Sequence, residues 1–510
     1  MAGRKAKRSK RKSKGLESVQ DYLPIREIRG GVIETTDGRY IKMLEIEPIN
    51  FTLRSDEEQF NIISTFASWL KISPMRLQFK SITRKADSDR HVAMIRSELE
   101  REANAQCRAM GDDYIRLIRD VGSREALTRR FFLIFEYESL RGDGDDYAKI
   151  YSMLQTAEQT ARGKIIGLDP VPHIRIANFL APRGIDLTHY NYIVMDGLYY
   201  SFLYIRAGGY PSRVRAGWMS SLVNAGEGVD VDVHLRRENR SKTIDKVAQR
   251  IRLNRTKLKG MQDTSTDYEE LTNSIRAGYF IKNGIANYNE DLFYMSVFIT
   301  VSAKTYDELM WRKQQVSDML KSMDMYTSDC AFQQEAALQA VMPFLSIPAS
   351  LEKKSRRNVL TSGAASTYLF TSFEMSDDTG VLLGVNRYNN SLCIVDLFNT
   401  KMHKNANLVL LGTSGAGKTF TMQLLARKIQ QLMTFFGLLI PDMSNEEEQM
   451  LDEALVSSNN NKIPVVIRAS KTETEMITTD RAELEEIVRE KKAHKAQNTH
   501  THENTHNEEV

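Results

Sequence analysis

Residues 412–419 carry the pattern in this chain whose residue types and spacing specify chemistry most directly. They read GTSGAGKT, which fits the GxxxxGK[ST] signature of a phosphate-binding loop. Glycines allow successive backbone N–H groups to face a phosphate, and the following helix adds the positive end of its dipole. We expect the loop to bind ATP through Gly412, Thr413, Ser414, Gly415, Ala416, Gly417, Lys418, Thr419 and Phe420.

Two residues of this loop have individual roles in the expected chemistry. The Lys418 ammonium would reach the β and γ phosphates, and the Thr419 hydroxyl would coordinate Mg²⁺. The loop needs a buried strand before it and a helix after it, and Leu408–Leu411 and Thr419–Met433 have those patterns. The alternative, a glycine-rich turn that precedes a helix by chance, does not account for both flanking elements.

Hydrolysis needs a further acid that holds the magnesium ion through water. Phe435–Ile440 reads as an apolar strand, and Asp442 follows it as a weak catalytic candidate. The alternative is that Asp442 is a turn residue that caps the next helix. The apolar run that ends in Asp196 has a similar pattern, but Gly197 follows it and favours a hairpin turn.

The composition is that of a folded, mixed α and β chain. The 510 residues are 41% hydrophobic and 27% charged, which suggests about three domains and excludes bulk disorder, collagen-like structure and a disulfide scaffold. Three distant cysteines favour a reducing, cytoplasmic compartment. No apolar run reaches the about 18 residues that a transmembrane helix needs, so any membrane contact would be peripheral.

Charge and periodicity divide the chain into five predicted parts. They are a disordered basic tail at 1–18, an α+β domain at 19–178, a second α+β unit with long charged helices at 179–370, the start of a P-loop NTPase domain at 371–444, and an acidic, partly disordered tail at 445–510. The strongest local signals are a hairpin around Asp37-Gly38, a strand at Arg130–Tyr137 and helices at Thr243–Lys259 and Tyr268–Asn283.

Basic residues concentrate in two places. Eight of the first fourteen residues are basic and none is acidic, which fits either a solvated arm or a tether for anionic lipid or nucleic acid. Ten basic residues also fall within Arg236–Lys259, where a solvated helix face is the simpler interpretation because aromatic stacking residues are lacking. A DNA-binding motor unrelated to secretion is the hypothesis that this second run would support.

With these residues in view, the chain resembles the VirB-four-like ATPases of conjugative type IV secretion, the TraC and TrbE group. The similarity spans residues 19–442. Four segments carry it in order along the chain: GGYPSRVRAGWMSSL at 208–222, AVMPFLSIP at 340–348, GVLLGVNRYNNSLCIVDLF at 380–398, and NANLVLLGTSGAGKTF at 405–420.

The resemblance implies a cytoplasmic ATPase at the inner face of the bacterial cell membrane. It implies docking on other subunits of the secretion channel, a hexameric homo-oligomer, and energy supplied for channel assembly or for export of protein-bound single-stranded DNA. Lys418 and Thr419 match the family's nucleotide-binding residues, whereas Asp442 matches its acidic run only weakly.

The segment after the loop departs from the family pattern. Only 91 residues follow Thr419, and the late apolar strand Ile463–Ile467 ends in Arg468 rather than in an Asp-Glu pair. We therefore expect α/β and α+β architecture in which N-terminal α+β units precede an incomplete RecA-like P-loop domain. Two hypotheses follow: a hydrolysing secretion ATPase, or a truncated, non-hydrolysing relative that acts as a docking or regulatory subunit.

Overall fold

A computed structural model gives the fold of most of the chain. It describes residues 23–51, 54–85, 89–101, 105–124, 126–137, 147–162, 184–260, 266–373, 375–376, 380–387, 390–397, 408–413, 417–435, 454–458 and 461–467. The predicted basic tail at 1–18 lies outside these residues, and of the predicted acidic tail at 445–510 only residues 454–458 and 461–467 are described. The described part combines α and β structure, as expected.

A twelve-stranded antiparallel sheet forms the body of the molecule. Ten strands follow the order β1-β2-β3-β5-β4-β9-β10-β8-β7-β6, with β11 on β8 and β12 on β10. Their bounds are β1 Ile25–Arg29, β2 Val32–Thr35, β3 Tyr40–Ile46, β4 Arg76–Lys85, β5 Leu127–Glu136, β6 Ile185–Asp186, β7 Ile193–Met195, β8 Leu198–Ile205, β9 Val229–Arg237, β10 Leu292–Ala303, β11 Thr327–Asp329 and β12 Arg357–Leu360. Pairing of β4 with β9 joins strands from the two predicted N-terminal units in one sheet.

Turn chemistry explains the hairpins of this sheet. Gly38 has φ +78° at the end of the predicted Asp37-Gly38 turn, between β2 and β3. Asp196 and Gly197 both have positive φ between β7 and β8, which is the backbone that a tight hairpin turn requires. The prediction that Asp196 belongs to a turn is confirmed.

Twelve helices accompany the sheets in the described part of the chain. They are α1 Asp56–Ile72, α2 Asp89–Leu99, α3 Ala105–Arg124, α4 Tyr147–Arg162, α5 Ser220–Val223, α6 Arg240–Leu258, α7 Thr266–Asn287, α8 Tyr306–Ser322, α9 Gln334–Val341, α10 Ala349–Ser355, α11 Thr361–Ser366 and α12 Lys418–Phe435. Ser55 and Glu58 form a capping box that fixes the start of α1. No described helix is both long enough and apolar enough to cross a bilayer.

The two faces of the large sheet differ in chemistry. One face packs against α1, α4, α5, α8 and α11 through a continuous apolar core in which Phe66 lies against Trp69, Phe79 and Phe370. The opposite face carries buried polar side chains on β4 and β9. Residues 340–348, which we call the strap, cross this second face.

The helical hairpin of α6 and α7 packs tightly and stands beside β12. A Cβ atom on Gly278 would lie 2.7 Å from Cγ1 of Ile251, so only glycine permits this spacing between the two helices. A Cβ atom on Gly284 would lie 2.5 Å from Cδ1 of Leu360, which shows how closely α7 approaches β12. Both predicted helices are confirmed.

A second, five-stranded sheet has the order β13-β15-β14-β17-β16. Its strands are β13 Met375–Ser376, β14 Val381–Asn386, β15 Leu392–Val395, β16 Ala454–Ser458 and β17 Asn461–Ile467. Only β13 and β15 pair in parallel, and the other pairs are antiparallel. The late apolar strand predicted at Ile463–Ile467 is present as part of β17, but the described residues do not form the parallel sheet of a RecA-like domain.

Candidate functional site

The predicted phosphate loop leads into α12, which begins at Lys418. Gly417, directly before the helix, has φ +62°, a left-handed conformation that glycine adopts without strain. The first helical hydrogen bond runs from the Thr421 N–H to the Gly417 carbonyl at 3.0 Å. Lys418 Nζ donates to the carbonyls of Gly412 at 3.0 Å and Thr413 at 2.6 Å. The lysine therefore connects the start of the loop to the start of the helix.

The structure describes only some of the remaining predicted loop residues. Thr419 is half-buried in the first turn of α12, and Phe420 is buried. Ser414, Gly415 and Ala416 lie outside the described residues, as does Asp442.

The strand expected before the loop does not form. Residues 408–413 belong to none of the described strands, and the side chains of Val409 and Leu411 are 76% and 89% exposed. The apolar pattern is that of a buried strand, but in the described part no neighbouring strand pairs with these residues.

Helix α12 is anchored on one face of the small sheet. Leu425 packs in a buried cluster with Val381, Leu383, Cys393 and Val395, and Leu410 from the loop approach packs against it. Lys428 is buried and donates from Nζ to the Leu382 carbonyl at 2.9 Å, with its ammonium 5.6 Å from the centre of the Tyr114 ring. The helix that carries Lys418 is thus fixed by both apolar packing and a buried hydrogen bond.

Helices α2 and α3 cover the opposite face of the same sheet. Ile115 and Ile118 of α3 pack in one buried cluster with Leu382, Val385 and other strand residues. A bulge between Leu382 and Gly384 brings the Leu382 and Val385 side chains to the same face. The small sheet is therefore enclosed between a helical hairpin from the N-terminal region and the helix of the phosphate loop.

Leu382 connects these two helices through its own peptide groups. Its N–H donates to the Tyr114 hydroxyl of α3 at 2.7 Å, and its carbonyl accepts from Lys428 of α12 at 2.9 Å. A further hydrogen bond, 2.7 Å long, runs from the Leu127 N–H at the start of β5 to the Asn390 carbonyl before β15 and links the two sheets. A displacement of α12 would therefore also act on α3 through the two hydrogen bonds of Leu382.

The donor set of the loop fits a triphosphate. Lys418 supplies a cation, Thr419 a hydroxyl, and the start of α12 supplies free backbone N–H groups. Residues 408–435 contain no Asp or Glu, so an acid that holds Mg²⁺ must come from elsewhere in the chain. The described geometry therefore fits nucleotide binding and leaves the catalytic acid unassigned.

A buried polar network beneath the strap was missed by the sequence reasoning. Lys80 Nζ donates to Asp232 Oδ2 at 2.8 Å and to the Val341 carbonyl at 2.9 Å. Gln78 donates to Asp232 Oδ1 at 2.8 Å and to the Met342 carbonyl at 3.1 Å. His234 Nε2 lies 2.8 Å from the Ala340 carbonyl, and because a carbonyl only accepts, this nitrogen carries the proton. Alternating polar residues on β4 and β9 were the available signal.

Burial shifts the titration of this network. It raises the pKa of Asp232 to about 6, although the Lys80 ammonium opposes the shift. Burial also lowers the pKa of His234 to about 4, so this imidazole is neutral at pH 7. The network is hydrogen-bonded at its centre, and it holds the strap on the sheet.

Comparison with known families gives one match. Residues 26–157 match the family model of the archaeal TraC-like domain, and no curated protein matches the chain. The matched region contains β1–β5 and α1–α3 and ends within α4. It includes the α2–α3 hairpin that supports the small sheet and ends before the phosphate loop. This region points to the TraC and VirB-four-related proteins, and hence to the theme of conjugation.

Proposed function

We propose that the chain is an ATP-binding protein of the VirB-four-like ATPase family, and that it energises channel assembly or DNA and protein transfer in a conjugative type IV secretion system. One observation supports this most directly. The region similar to the TraC-like domain supplies α3, and α3 packs on the sheet that anchors the phosphate-loop helix.

In this proposal the loop residues bind and orient the nucleotide. Bound Mg·ATP would supply the phosphoanhydride whose hydrolysis releases free energy. Lys418, which now donates to two backbone carbonyls, would hold phosphate oxygens, and the Thr419 hydroxyl would hold the magnesium ion. Asp442 is proposed only weakly as the acid that supports hydrolysis.

A second candidate is a subunit that binds ATP without hydrolysing it and acts in docking or regulation. Two observations favour it: residues 408–435 contain no carboxylate, and residues 408–411 form no strand of a described sheet. Under either candidate the proposed partners are other channel subunits, further copies of this chain in a hexamer, single-stranded DNA, and the cytoplasmic face of the membrane as a peripheral contact.

The Lys418→Ala variant tests nucleotide binding. Because Lys418 would contact two phosphates, we expect its loss to weaken Mg·ATP binding at least tenfold, which corresponds to about 1.4 kcal/mol. Calorimetric titration measures the affinity, and phosphate release measures turnover. Lys282→Ala is the matched control, because Lys282 is exposed on α7 and outside the loop.

Two results separate the candidates. Phosphate release that Lys418→Ala abolishes supports the ATPase, whereas tight ATP binding with no release supports the docking subunit. Equal ATP affinity in Lys418→Ala, Lys282→Ala and the parent protein would contradict both.

A further inference from the structure

A cavity of about 600 Å³ lies beside β12, far from the phosphate loop in sequence. Its walls come from β12, from α7, and from residues 207–218. This last range overlaps the 208–222 segment of the sequence analysis. Gly284 lets α7 approach Leu360 closely, so the wall that α7 provides is set by backbone packing. A volume in this range is typical of a small-ligand site.

Aromatic groups form much of the interior of this cavity. Trp218 and Tyr210 line the cavity from the segment 207–218, and Phe280 lines it from α7. Phe280 is 70% exposed, although it is a large apolar side chain on a well-formed helix. The Trp218 indole N–H is buried and has no hydrogen-bond acceptor in the described part of the chain. These rings offer stacking surfaces and one donor that a ligand could satisfy.

The charged residues that line the cavity are all basic. Lys353, Arg356 and Arg357 lie along it, and no Asp or Glu is among its described lining residues. The Arg356 guanidinium lies 4.2 Å from the centre of the Tyr294 ring, and Arg357 donates to the Ala207 carbonyl at 3.4 Å. None of the three forms an ion pair with a carboxylate within the described structure. The site therefore carries uncompensated positive charge.

We propose that this cavity binds a nucleotide unit, with the base against Trp218 and Phe280 and the phosphate on Lys353 and Arg356. A planar base gains from stacking on aromatic side chains, and a guanidinium matches the geometry of a phosphate. The unit could come from a free nucleotide or from a single strand of nucleic acid, since both present a base beside a phosphate. The proposal uses no residue of the phosphate loop and stands independently of ATP binding there.

Eight of the ten basic residues in Arg236–Lys259 are exposed, as the solvated-face interpretation expects. The Arg236–Lys259 run lacks aromatic residues of its own, but α7 packs against α6 and supplies them. Arg255 lies 5.2 Å from the centre of the Tyr279 ring, and Phe280 follows on the same helix. Aromatic and basic groups separated in sequence are thus neighbours in the fold, as single-strand binding requires.

Tryptophan fluorescence provides a direct test. The background is Lys418→Ala with Trp311→Phe, which weakens binding at the phosphate loop and removes an indole that is 63% exposed. Trp69 is fully buried, so a ligand-dependent change reports Trp218. The probes are AMP, a short oligodeoxyadenylate, and an abasic strand with the same number of phosphates.

We expect the oligodeoxyadenylate to change the fluorescence and to bind more tightly than the abasic strand. Phe280→Ala should weaken its binding by about fivefold to a hundredfold, because one stacking contact is lost. Arg356→Gln should weaken it and make the salt dependence shallower by about 0.7 in log–log slope. Phe332→Ala and Lys282→Gln, at exposed positions outside the cavity, are the controls.

The pattern across probes identifies the source of the nucleotide. AMP binding as tight as that of the strand assigns a free nucleotide, and tighter strand binding assigns single-stranded nucleic acid. Equal affinities for the abasic and adenylate strands, or unchanged binding in both Phe280→Ala and Arg356→Gln, would overturn the proposal. So would an acidic, leucine-rich peptide that binds the cavity and is not displaced by AMP or by the strand.

Discussion

The two sheets reach stability by different means. The large sheet has strands of up to twelve residues, and chain-adjacent hairpins and long pairings such as β4–β5 and β9–β10 align their apolar faces over one core. The small sheet has described strands of two to seven residues, and helices from distant parts of the chain cover its faces. The phosphate-loop helix therefore rests on a sheet that depends on the N-terminal region for its packing.

Asp232→Ala should have the largest effect and should act on the large sheet. It would leave the buried Lys80 ammonium without its carboxylate partner, which typically costs about 3–5 kcal/mol of unfolding free energy. Urea unfolding followed by circular dichroism measures the loss. The double variant Lys80→Met/Asp232→Val, which removes both charges, should recover a substantial part of it. A loss below about 1 kcal/mol in Asp232→Ala would show that the pair does not hold the sheet.

Tyr114→Phe should have a smaller effect, confined to the small sheet. Loss of the hydroxyl leaves the buried Leu382 N–H without an acceptor, at a cost of about 1–3 kcal/mol. Hydrogen exchange should quicken in residues 381–386 and stay unchanged in β9 and β10, and Mg·ATP affinity should fall. Tyr288→Phe, at an exposed position, is the control. Faster exchange throughout the large sheet would contradict the expectation that Tyr114 stabilises the small sheet alone.

His234→Gln should have the smallest effect, visible only as a change in pH dependence. Because the pKa of His234 is lowered in the fold, this group binds more protons in the unfolded chain than in the native protein between about pH 4 and 6.5. Its contribution to the unfolding free energy therefore increases as pH rises through this range. The raised pKa of Asp232 has the opposite sign, and its contribution falls as pH rises from 3.8 to about 6. The two contributions oppose each other in the native protein.

In His234→Gln, the Asp232 contribution to the pH dependence of the unfolding free energy is therefore no longer opposed by that of His234. The unfolding free energy of His234→Gln should decrease more steeply with pH across this window than that of the parent. Urea unfolding at several pH values measures the slope, with His189→Gln at an exposed position as the control. Identical slopes in His234→Gln and the parent would show that these two groups do not titrate oppositely.

Several elements of the large sheet were predictable because they have local signals. Asp37-Gly38 and Asp196-Gly197 mark turns, and the apolar run in β5 reads as a buried strand. The sequence also located Gly417 and Lys418 at the start of a helix. It could not show that residues 408–411 pair with no strand in the described part of the chain, because an apolar run has the same pattern with or without a neighbouring strand.

The contacts between distant residues were beyond sequence reasoning. Tyr114 and Leu382 are separated by more than half the chain, and no local pattern links the α2–α3 hairpin to the phosphate-loop helix. The same holds for Lys80 and Asp232, which are 152 residues apart in the chain. Pairing of β4 with β9 places them side by side inside the molecule.

The strap has a consequence for the time course of folding. Its carbonyls accept hydrogen bonds from Gln78, Lys80 and His234, and the Phe344 carbonyl accepts one from Arg39. The strands β3, β5, β4 and β9 must pair to bring these donors together, so we expect the strap to close late in folding. Interactions that form after the transition state govern the unfolding rate and barely affect the folding rate. We therefore expect the strap to control how slowly the large sheet unfolds once it has formed.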